Sequence, residues 1–232
     1  METNDTNSKF LPIAVVAAGL LIAGAVVWNG TRSPGPAGSP PAGTAPKVNV
    51  KNIKFENSPF IGAANAPVTI VAWGDYQCPF CKKFEVETLP QIIKNYVDTG
   101  KVKIVFMDFT FLGNDSTTGA LYGRSVWRLY PDKYFAWRTV MYESQDAEGD
   151  QGFGNAASID KLDAKIPGVD AAKVAADVKA NAATYQALVD RDKVEAQKEG
   201  VNATPSFVIG TELIAGAYPF AKFQSVIDPL LK

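Results

Sequence analysis

Histidine is absent from the 232-residue sequence, and cysteine occurs only twice, at Cys78 and Cys81. Without histidine, Ser-His-Asp and Cys-His nucleophile systems and imidazole-ligated metal sites are excluded. Two cysteines alone cannot complete a tetrahedral Cys/His zinc site within one molecule. A large net charge is also lacking: a formal net charge of −1 and a pI near 5.6 give no electrostatic reason to expect nucleic acid as a partner.

A predicted strand and a predicted helix flank the two cysteines. Residues 68–73 (VTIVAW) are apolar and rich in β-branched side chains, which indicates a buried strand. Over about residues 79–97, apolar side chains fall mostly at helical spacing, and Pro79 suits the first position of a helix. Cys78 is therefore predicted to lie at or just before a helix N-terminus.

This placement predicts that Cys78 is a reactive thiol. The free N–H groups and the macrodipole at a helix N-terminus favour an anion, which lowers the pKa of a cysteine there. Cys81, one helical turn later, can close a disulfide with Cys78 or resolve a mixed disulfide. A purely structural disulfide between residues so close in sequence would stabilise the fold weakly. We therefore predict a redox-active pair; soft-metal binding, an intermolecular link and an inert pair are the alternatives.

The N-terminal part of the chain predicts a membrane attachment. Residues 11–28 (LPIAVVAAGLLIAGAVVW) carry no charge and approach the minimum length of a membrane-spanning helix. We predict an uncleaved transmembrane anchor over residues 10–29, after a short cytoplasmic tail of residues 1–9; a cleaved signal peptide is the alternative, although its apolar region is usually shorter. Residues 30–47 are rich in Pro, Gly, Ala and Ser and predict a flexible linker to a domain of residues 48–232.

Further strand and helix patterns follow the linker. Residues 48–55 alternate well enough to predict an edge strand, and residues 101–107 predict a second central strand. Residues 114–200 are mostly helical in pattern, and Pro205 opens another apolar strand. Residues 219–231 predict a short amphipathic helix that ends the domain.

Several features of the helical region have structural interpretations. The aromatic residues of segment 117–143 are expected in the core, and Asp170 is expected to cap a helix. Residues 146–157 resemble a calcium loop but lack its turn glycine and its bidentate glutamate, so calcium binding is not predicted. The charged run of residues 190–199 predicts a solvated helix face.

In their order, these segments resemble the DsbA-like branch of the thioredoxin superfamily. The matching text is NAPVTIVAWGDYQCPFCKKF, LPQIIKNYVDTGKVKIVFMDF and ATPSFVIG, followed by the closing helix, and the resemblance covers about residues 59–231. It implies an α/β thioredoxin fold in which the helical region, about residues 114–200, is an insertion.

The resemblance also implies roles for individual residues. Cys78 would be the attacking thiol of a CPFC active site, and Cys81 would be its buried partner. Thr204 and Pro205 would form a cis pair packed against the cysteines. Such a pair presents the Thr204 backbone to an extended substrate, which can pair with it as an added strand.

Three positions depart from the pattern of related proteins. Ala72 stands six residues before the first cysteine, where related proteins often carry a buried acid that relays protons. Phe80 replaces the histidine of the DsbA dipeptide, and Ala203 replaces a glycine common before the Thr-Pro pair. Because the first two changes remove titratable groups from around Cys78, Pro79 and Phe80 are expected to tune the active site without an imidazole.

We therefore expect a single-pass, membrane-anchored, extracytoplasmic protein thiol–disulfide oxidoreductase, most simply a dithiol oxidase, since disulfides persist outside the cytosol. A disulfide reductase or isomerase of the same fold, and a non-catalytic copper-binding thiolate module, are the alternatives. No organic cofactor or metal is expected. The expected partners are cysteine-bearing substrate proteins, the lipid bilayer through residues 11–28 and, by resemblance, a DsbB-like membrane oxidase. The chain is expected to be a monomer.

Overall fold

The computed structural model of the chain describes residues 48–146 and 153–232. The predicted tail, anchor and linker, which together span residues 1–47, lie outside the described residues, as does half of the calcium-like loop. Among the described residues, no helix has both the length and the apolar character needed to cross a bilayer.

A five-stranded mixed sheet forms the centre of the domain, in the order β1-β3-β2-β4-β5. The two central strands, β2 and β3, run parallel, and every other neighbouring pair is antiparallel. Both central strands are nearly continuous in apolar residues because helices or loops cover both of their faces. The strands are β1 (Phe60–Ile61), β2 (Val68–Gly74), β3 (Val102–Asp108), β4 (Ser206–Ile209) and β5 (Glu212–Ala215). The predicted central strands are confirmed, whereas β5 was not predicted.

Six helices surround the sheet in the described residues. They are α1 (residues 79–97), α2 (Asn114–Leu129), α3 (Tyr134–Glu143), α4 (Ala156–Asp163), α5 (Ala171–Lys198) and α6 (Phe220–Leu230). Helix α1 alternates between α and π geometry, with π-helical segments at Phe84–Thr88 and Ile93–Val97. Pro90, which lacks an N–H and cannot continue a regular α-helix, lies between these two segments.

The two faces of the sheet carry separate apolar cores. On one face, Phe84 of α1, Phe207 of β4 and Phe223 of α6 pack together, with ring centroids 4.5 to 5.5 Å apart. On the other face, the fully buried Trp73 of β2 donates its indole N–H to the Asp192 carbonyl oxygen of α5 at 3.0 Å. The sheet is therefore covered by α1 and α6 on one side and by the end of α5 on the other.

The region between β3 and β4 is helical, as predicted, and has a core of its own. Four aromatic residues of segment 117–143 are buried in it: Tyr122, Tyr134, Trp137 and Tyr142. The prediction that this aromatic segment forms core is confirmed for these side chains. Asp170 caps α5 as expected, since its side chain accepts the Lys173 N–H at 3.0 Å.

The prediction of an edge strand at residues 48–55 is wrong. This segment contains a short 3₁₀ helix, Val50–Asn52, and the antiparallel edge strand is Phe60–Ile61. Two of the apolar side chains that suggested a strand, Val48 and Ile53, are buried against the sheet, but the backbone that carries them is irregular.

The prediction of a solvated face at residues 190–199 is wrong for three acidic residues. Asp192, Glu195 and Glu199 are buried, and their spacing of three and four residues places them on one face of α5 or at its end. Each accepts a backbone N–H from outside the helix, at 2.9, 3.1 and 3.1 Å respectively: from Asp108, Lys54 and Asn49. The charged residues predicted an exposed helix face, whereas these three carboxylates are buried and accept hydrogen bonds from backbone N–H groups of neighbouring segments.

Candidate active site

Cys78 lies at the junction between the sheet and α1. Strand β2 ends at Gly74, the chain turns, and the Cys78 N–H donates to the Asp75 carbonyl oxygen at 3.0 Å. Cys78 is the N-cap of α1 in extended conformation, and Pro79 occupies the first helical position, as the sequence predicted. The Cys78 carbonyl accepts the Cys81 N–H at 3.0 Å, which closes the first turn and brings the two cysteines together.

Cys78 is a buried free thiol whose surroundings favour the thiolate. In the thiol form, the Cys78 Sγ donates to the Thr204 carbonyl oxygen at 3.4 Å, a contact that by itself favours the protonated form. The pKa of Cys78 is lowered to about 6, first because the Cys81 thiol donates a hydrogen bond to it. Hydrogen bonds from the Thr204 hydroxyl and from the N–H groups of Cys81 and Phe80 lower this pKa further. Burial of the Cys78 thiol opposes these effects.

Cys81 has the opposite character. It is fully buried one turn into α1, and burial raises the pKa of its thiol well above the usual value. Its hydrogen bond to Cys78 raises this pKa further, because the Cys81 proton is the one donated. The pair is therefore asymmetric, with the lower thiol pKa at Cys78 and the higher one at Cys81.

Thr204 and Pro205 lie against the cysteines. The peptide bond between them is cis, as the resemblance implied. Strand β4 begins immediately afterwards and pairs antiparallel with β2, with Ser206 opposite Trp73, so the pair sits beside the end of β2. The Thr204 hydroxyl is buried and has no conventional hydrogen-bond acceptor or donor among the described residues, so it can turn towards the sulfur of Cys78. Substrate binding by these two residues stays a prediction.

An apolar groove of about 310 Å³ opens beside the cysteines. The Phe80 side chain, 62% exposed, forms one wall, and Tyr218, 47% exposed, forms another. Thr204 and Gly216 also line it. Large exposed aromatic side chains next to a reactive thiol are suited to contacting a partner chain.

Two further residues, Asp75 and Gln145, hydrogen-bond to the turn between β2 and α1 that carries Cys78. The sequence predicted no role for either residue. The buried Asp75 carboxylate accepts the N–H groups of Gln77 at 2.9 Å and of Phe111 at 3.0 Å, so it joins the turn to the loop after β3. Gln145, just after α3, donates to the Cys78 carbonyl oxygen at 3.2 Å. An Asp two residues before a turn N–H is a recognisable local pattern, whereas no local signal pairs Gln145 with the turn.

Within the described residues, no group of three or more His, Cys, Asp or Glu side chains could hold a metal ion. The two sulfurs of Cys78 and Cys81 are the soft donors of the site. The arrangement is suited to thiol–disulfide exchange, which needs only an ionised sulfur and a second thiol within reach.

Comparison with known proteins agrees with this fold. The family model described as Thioredoxin matches residues 54–229, and the chain belongs to this family. Disulfide bond formation protein D of Bacillus subtilis is 30% identical over 180 residues, which cover 77% of this chain and 79% of that protein. The probable disulfide bond formation protein D of Bacillus anthracis is also 30% identical, over 173 residues that cover 74% of this chain and 77% of that one.

Solved structures are similar over the same region. The crystal structure of oxidised BdbD from Bacillus subtilis has a TM-score of 0.71 and 26% identity, covering 77% of this chain and 95% of that one. The thiol-disulfide exchange protein alpha-DsbA2 from Wolbachia pipientis has a TM-score of 0.64 and 27% identity, covering 75% of this chain and 88% of that one. The protein is accordingly a DsbA-like thiol–disulfide oxidoreductase.

Proposed function

We propose that the enzyme oxidises pairs of thiols in substrate proteins through a reversible disulfide between Cys78 and Cys81. The observation that carries this proposal is the asymmetry of the two sulfurs. The pKa of Cys78 is lowered to about 6, and burial keeps Cys81 protonated in the dithiol form. The first sulfur is ionised at neutral pH, and the second is sheltered from competing thiols and oxidants.

The reaction proceeds by two exchanges. A substrate thiolate attacks the Cys78 sulfur of the oxidised enzyme, the Cys78–Cys81 bond breaks, and Cys81 leaves as a thiolate that takes up the proton lost by the substrate. A second substrate thiolate then attacks the substrate sulfur of this mixed disulfide and expels Cys78 as a thiolate. Two electrons pass from the substrate thiols to the enzyme, and the substrate gains a disulfide.

The low pKa of Cys78 favours oxidation over reduction of substrates. Stabilising the thiolate stabilises the reduced enzyme, which makes the disulfide form a stronger oxidant. The value of about 6 lies below the corresponding pKa of thioredoxin, about 7, and above that of DsbA, about 3.5. We therefore expect the enzyme to be a stronger oxidant than thioredoxin and a weaker one than DsbA.

Substrates bind in extended conformation across the groove. The Thr204 backbone lies against the Cys78 sulfur, which suits it to pair with a substrate strand while the substrate cysteine reaches Cys78. Phe80 and Tyr218 contact apolar side chains next to that cysteine. The enzyme would then select substrates that present a cysteine in an unfolded or extended segment, rather than substrates with a particular folded surface.

The domain acts outside the cytoplasm on a membrane tether. Support comes from the uncharged run of residues 11–28, from the linker of residues 30–47 and from the persistence of disulfides outside the cytosol. A DsbB-like membrane oxidase restores the Cys78–Cys81 disulfide after each turnover. In intact cells treated first with a membrane-impermeant reductant, a membrane-impermeant thiol reagent should label Cys78; labelling only after lysis would contradict this location.

Disulfide transfer to a reduced peptide with two cysteines tests the proposed activity. The oxidised full chain should convert the peptide to its disulfide, seen by mass spectrometry as the loss of two hydrogens. Cys81→Ser, mixed with glutathione disulfide, should hold a mixed disulfide with glutathione at Cys78 and release one reduced glutathione, because the resolving thiol is missing; Cys78→Ser should be inactive in transfer. Transfer by Cys78→Ser at the wild-type rate, or none by the wild type, would contradict the proposal.

A further inference from the structure

Helix α3 brings two polar side chains to the buried side of Cys81. Gly74, the last residue of β2, has no side chain there, and a Cβ atom on it would lie 3.1 Å from the Tyr142 Oη. The same point lies 3.8 Å from the Cys81 Sγ and 3.9 Å from the Arg138 Nη2. A sulfur, a hydroxyl and a guanidinium group therefore converge on one position, which glycine leaves open.

The two α3 side chains are held firmly in this position. Arg138 is buried, and its Nε donates to the Glu85 Oε2 at 3.0 Å, a charge-assisted contact between α3 and α1. The Arg138 Nη2 donates to the Tyr142 Oη at 3.5 Å. Because the Tyr142 oxygen accepts from Arg138, the Tyr142 hydroxyl proton can be directed towards another acceptor.

The chemistry of the site requires negative charge on Cys81. When the Cys78–Cys81 bond opens, its electron pair stays on the Cys81 sulfur, and this sulfur is buried where ions are poorly solvated. Burial raises the pKa of Tyr142 well above its usual value, and charge on Cys81 raises it further although Arg138 lowers it. Tyr142 therefore stays protonated as a hydrogen-bond donor at neutral pH.

We propose that Tyr142, oriented by Arg138, is a positioning residue that stabilises negative charge on Cys81 during thiol–disulfide exchange. The inference rests on the proposed function. As a substrate sulfur bonds to Cys78, Cys81 leaves as a thiolate beside the Tyr142 hydroxyl, and the proton released by the substrate thiol then neutralises it. In the reverse step, Cys81 attacks the Cys78 sulfur of a mixed disulfide, and the proton that it lost is taken up by the departing thiolate.

Other titratable groups also surround Cys81 and Tyr142, on each element packed against them. They are Asp75, Tyr76 and Cys78 before or at the start of α1, Glu85 in α1, and Arg138 in α3. Arg138 is the cation of this set, and it is paired with Glu85. The Thr204 side chain and the Asp75 backbone also hydrogen-bond to Cys81 and lower its pKa. Under the proposal, the Tyr142 hydroxyl adds a further donor from α3.

A thiol reaction with two kinetic phases distinguishes the reactivity of Cys78 from that of Cys81. The reduced full chain is mixed with dithiobis(nitrobenzoate), and the absorbance of released nitrothiobenzoate is followed across a range of pH. The first release reports attack by Cys78 on the reagent. The second release reports attack by Cys81 on the mixed disulfide at Cys78. Stabilisation of the Cys81 thiolate should therefore affect the second phase alone.

Tyr142→Phe should slow the second phase about tenfold and raise its pH midpoint by about one unit, the effect of losing one hydrogen bond to a charged group. The first phase should be unchanged. The matched control is Tyr134→Phe, which removes another buried hydroxyl, one that is 3.2 Å from the Tyr76 hydroxyl. Tyr134→Phe should leave both phases at wild-type rates.

A second variant, Gly74→Ala, should disturb the position of the Tyr142 hydroxyl beside Cys81 without removing this hydroxyl. Gly74→Ala places a methyl group 3.1 Å from the Tyr142 Oη and should also slow the second phase. The inference is overturned if Tyr142→Phe matches the wild type in the rate and pH midpoint of this phase, or if Tyr134→Phe slows it equally. A wild-type protein that releases no second nitrothiobenzoate would instead contradict the proposed redox pair itself.

Discussion

The residues around Cys78 lower its pKa through hydrogen bonds rather than through a charged neighbour. The Cys81 thiol, Thr204 and the first N–H groups of α1 donate to the Cys78 sulfur, while Phe80 stands where the DsbA dipeptide has histidine. Because a hydrogen bond to an ionised sulfur favours that form, these donors achieve in part what an imidazolium would achieve by charge. Hydrogen-bond donors, among which the Cys81 thiol has the largest effect, therefore lower the pKa of this cysteine in a protein without histidine.

The pH dependence of Cys78 tests this account at the residue scale. Thiolate absorbance of the reduced protein should titrate with a midpoint near pH 6, because the pKa falls to about 6 from the ordinary 9.0. The pKa is lowered on folding, so the Cys78 thiolate should stabilise the reduced fold at pH 9 and above. That contribution should decline between pH 9 and pH 6 and be absent at lower pH.

The control for this titration is Cys81→Ala. It removes the donor with the largest effect on Cys78, so the midpoint should move upwards from about 6 while remaining below 9. A wild-type midpoint near 9, or a midpoint unaffected by Cys81→Ala, would contradict the proposed network of donors.

At the scale of elements, the sequence predicted those with a strong periodic pattern or a clear boundary. Strand β2, helix α1 and strand β3 have long apolar patterns, and β4 is bounded by Pro205. Residues 48–55 and 190–199 were misinterpreted because alternation and charge do not reveal what a side chain packs against. Their structure depends on contacts between segments far apart in sequence, which no local pattern contains.

A buried ion network, invisible in the sequence, joins the helical insertion to the sheet. The guanidinium group of Arg124 in α2 donates to the Asp108 Oδ2 at the end of β3, through Nη2 at 2.6 Å. The same group pairs with Asp192 of α5, whose side chain is fully buried. The two carboxylates belong to different elements, so one arginine connects α2, β3 and α5.

Removing this arginine should destabilise the fold. Arg124→Ala leaves the partly exposed Asp108 carboxylate without this cation and the buried Asp192 carboxylate with Arg191 alone, so the free energy of unfolding should fall by about 3 kcal/mol in chemical denaturation. The control, Arg128→Ala, removes a side chain that is 53% exposed, and its buried partner Asp177 keeps hydrogen bonds from Ser125, Asn181 and Tyr185. This variant should therefore cost about 1 kcal/mol or less. Equal losses in the two variants would show that the Arg124 network does not join these elements.

At the scale of the whole molecule, the active site lies where separate parts of the domain meet. The cysteines come from the start of α1, the cis pair from the start of β4, and Gln145 from the end of the α3 region. The sequence pointed to the cysteines and, by resemblance, to Thr204 and Pro205. It could not point to Gln145, Arg138 or Tyr142, because the insertion that carries them has no local pattern that indicates contact with the cysteines.

The equilibrium of the Cys78–Cys81 pair with a glutathione redox buffer tests the central claim most directly. The full chain is equilibrated at several ratios of oxidised to reduced glutathione, and its free thiols are trapped and counted. The pKa of about 6 at Cys78 predicts a reduction potential between the values of about −270 mV for thioredoxin and about −120 mV for DsbA. A potential at or below that of thioredoxin, or no intramolecular disulfide at any ratio, would contradict a dithiol oxidase.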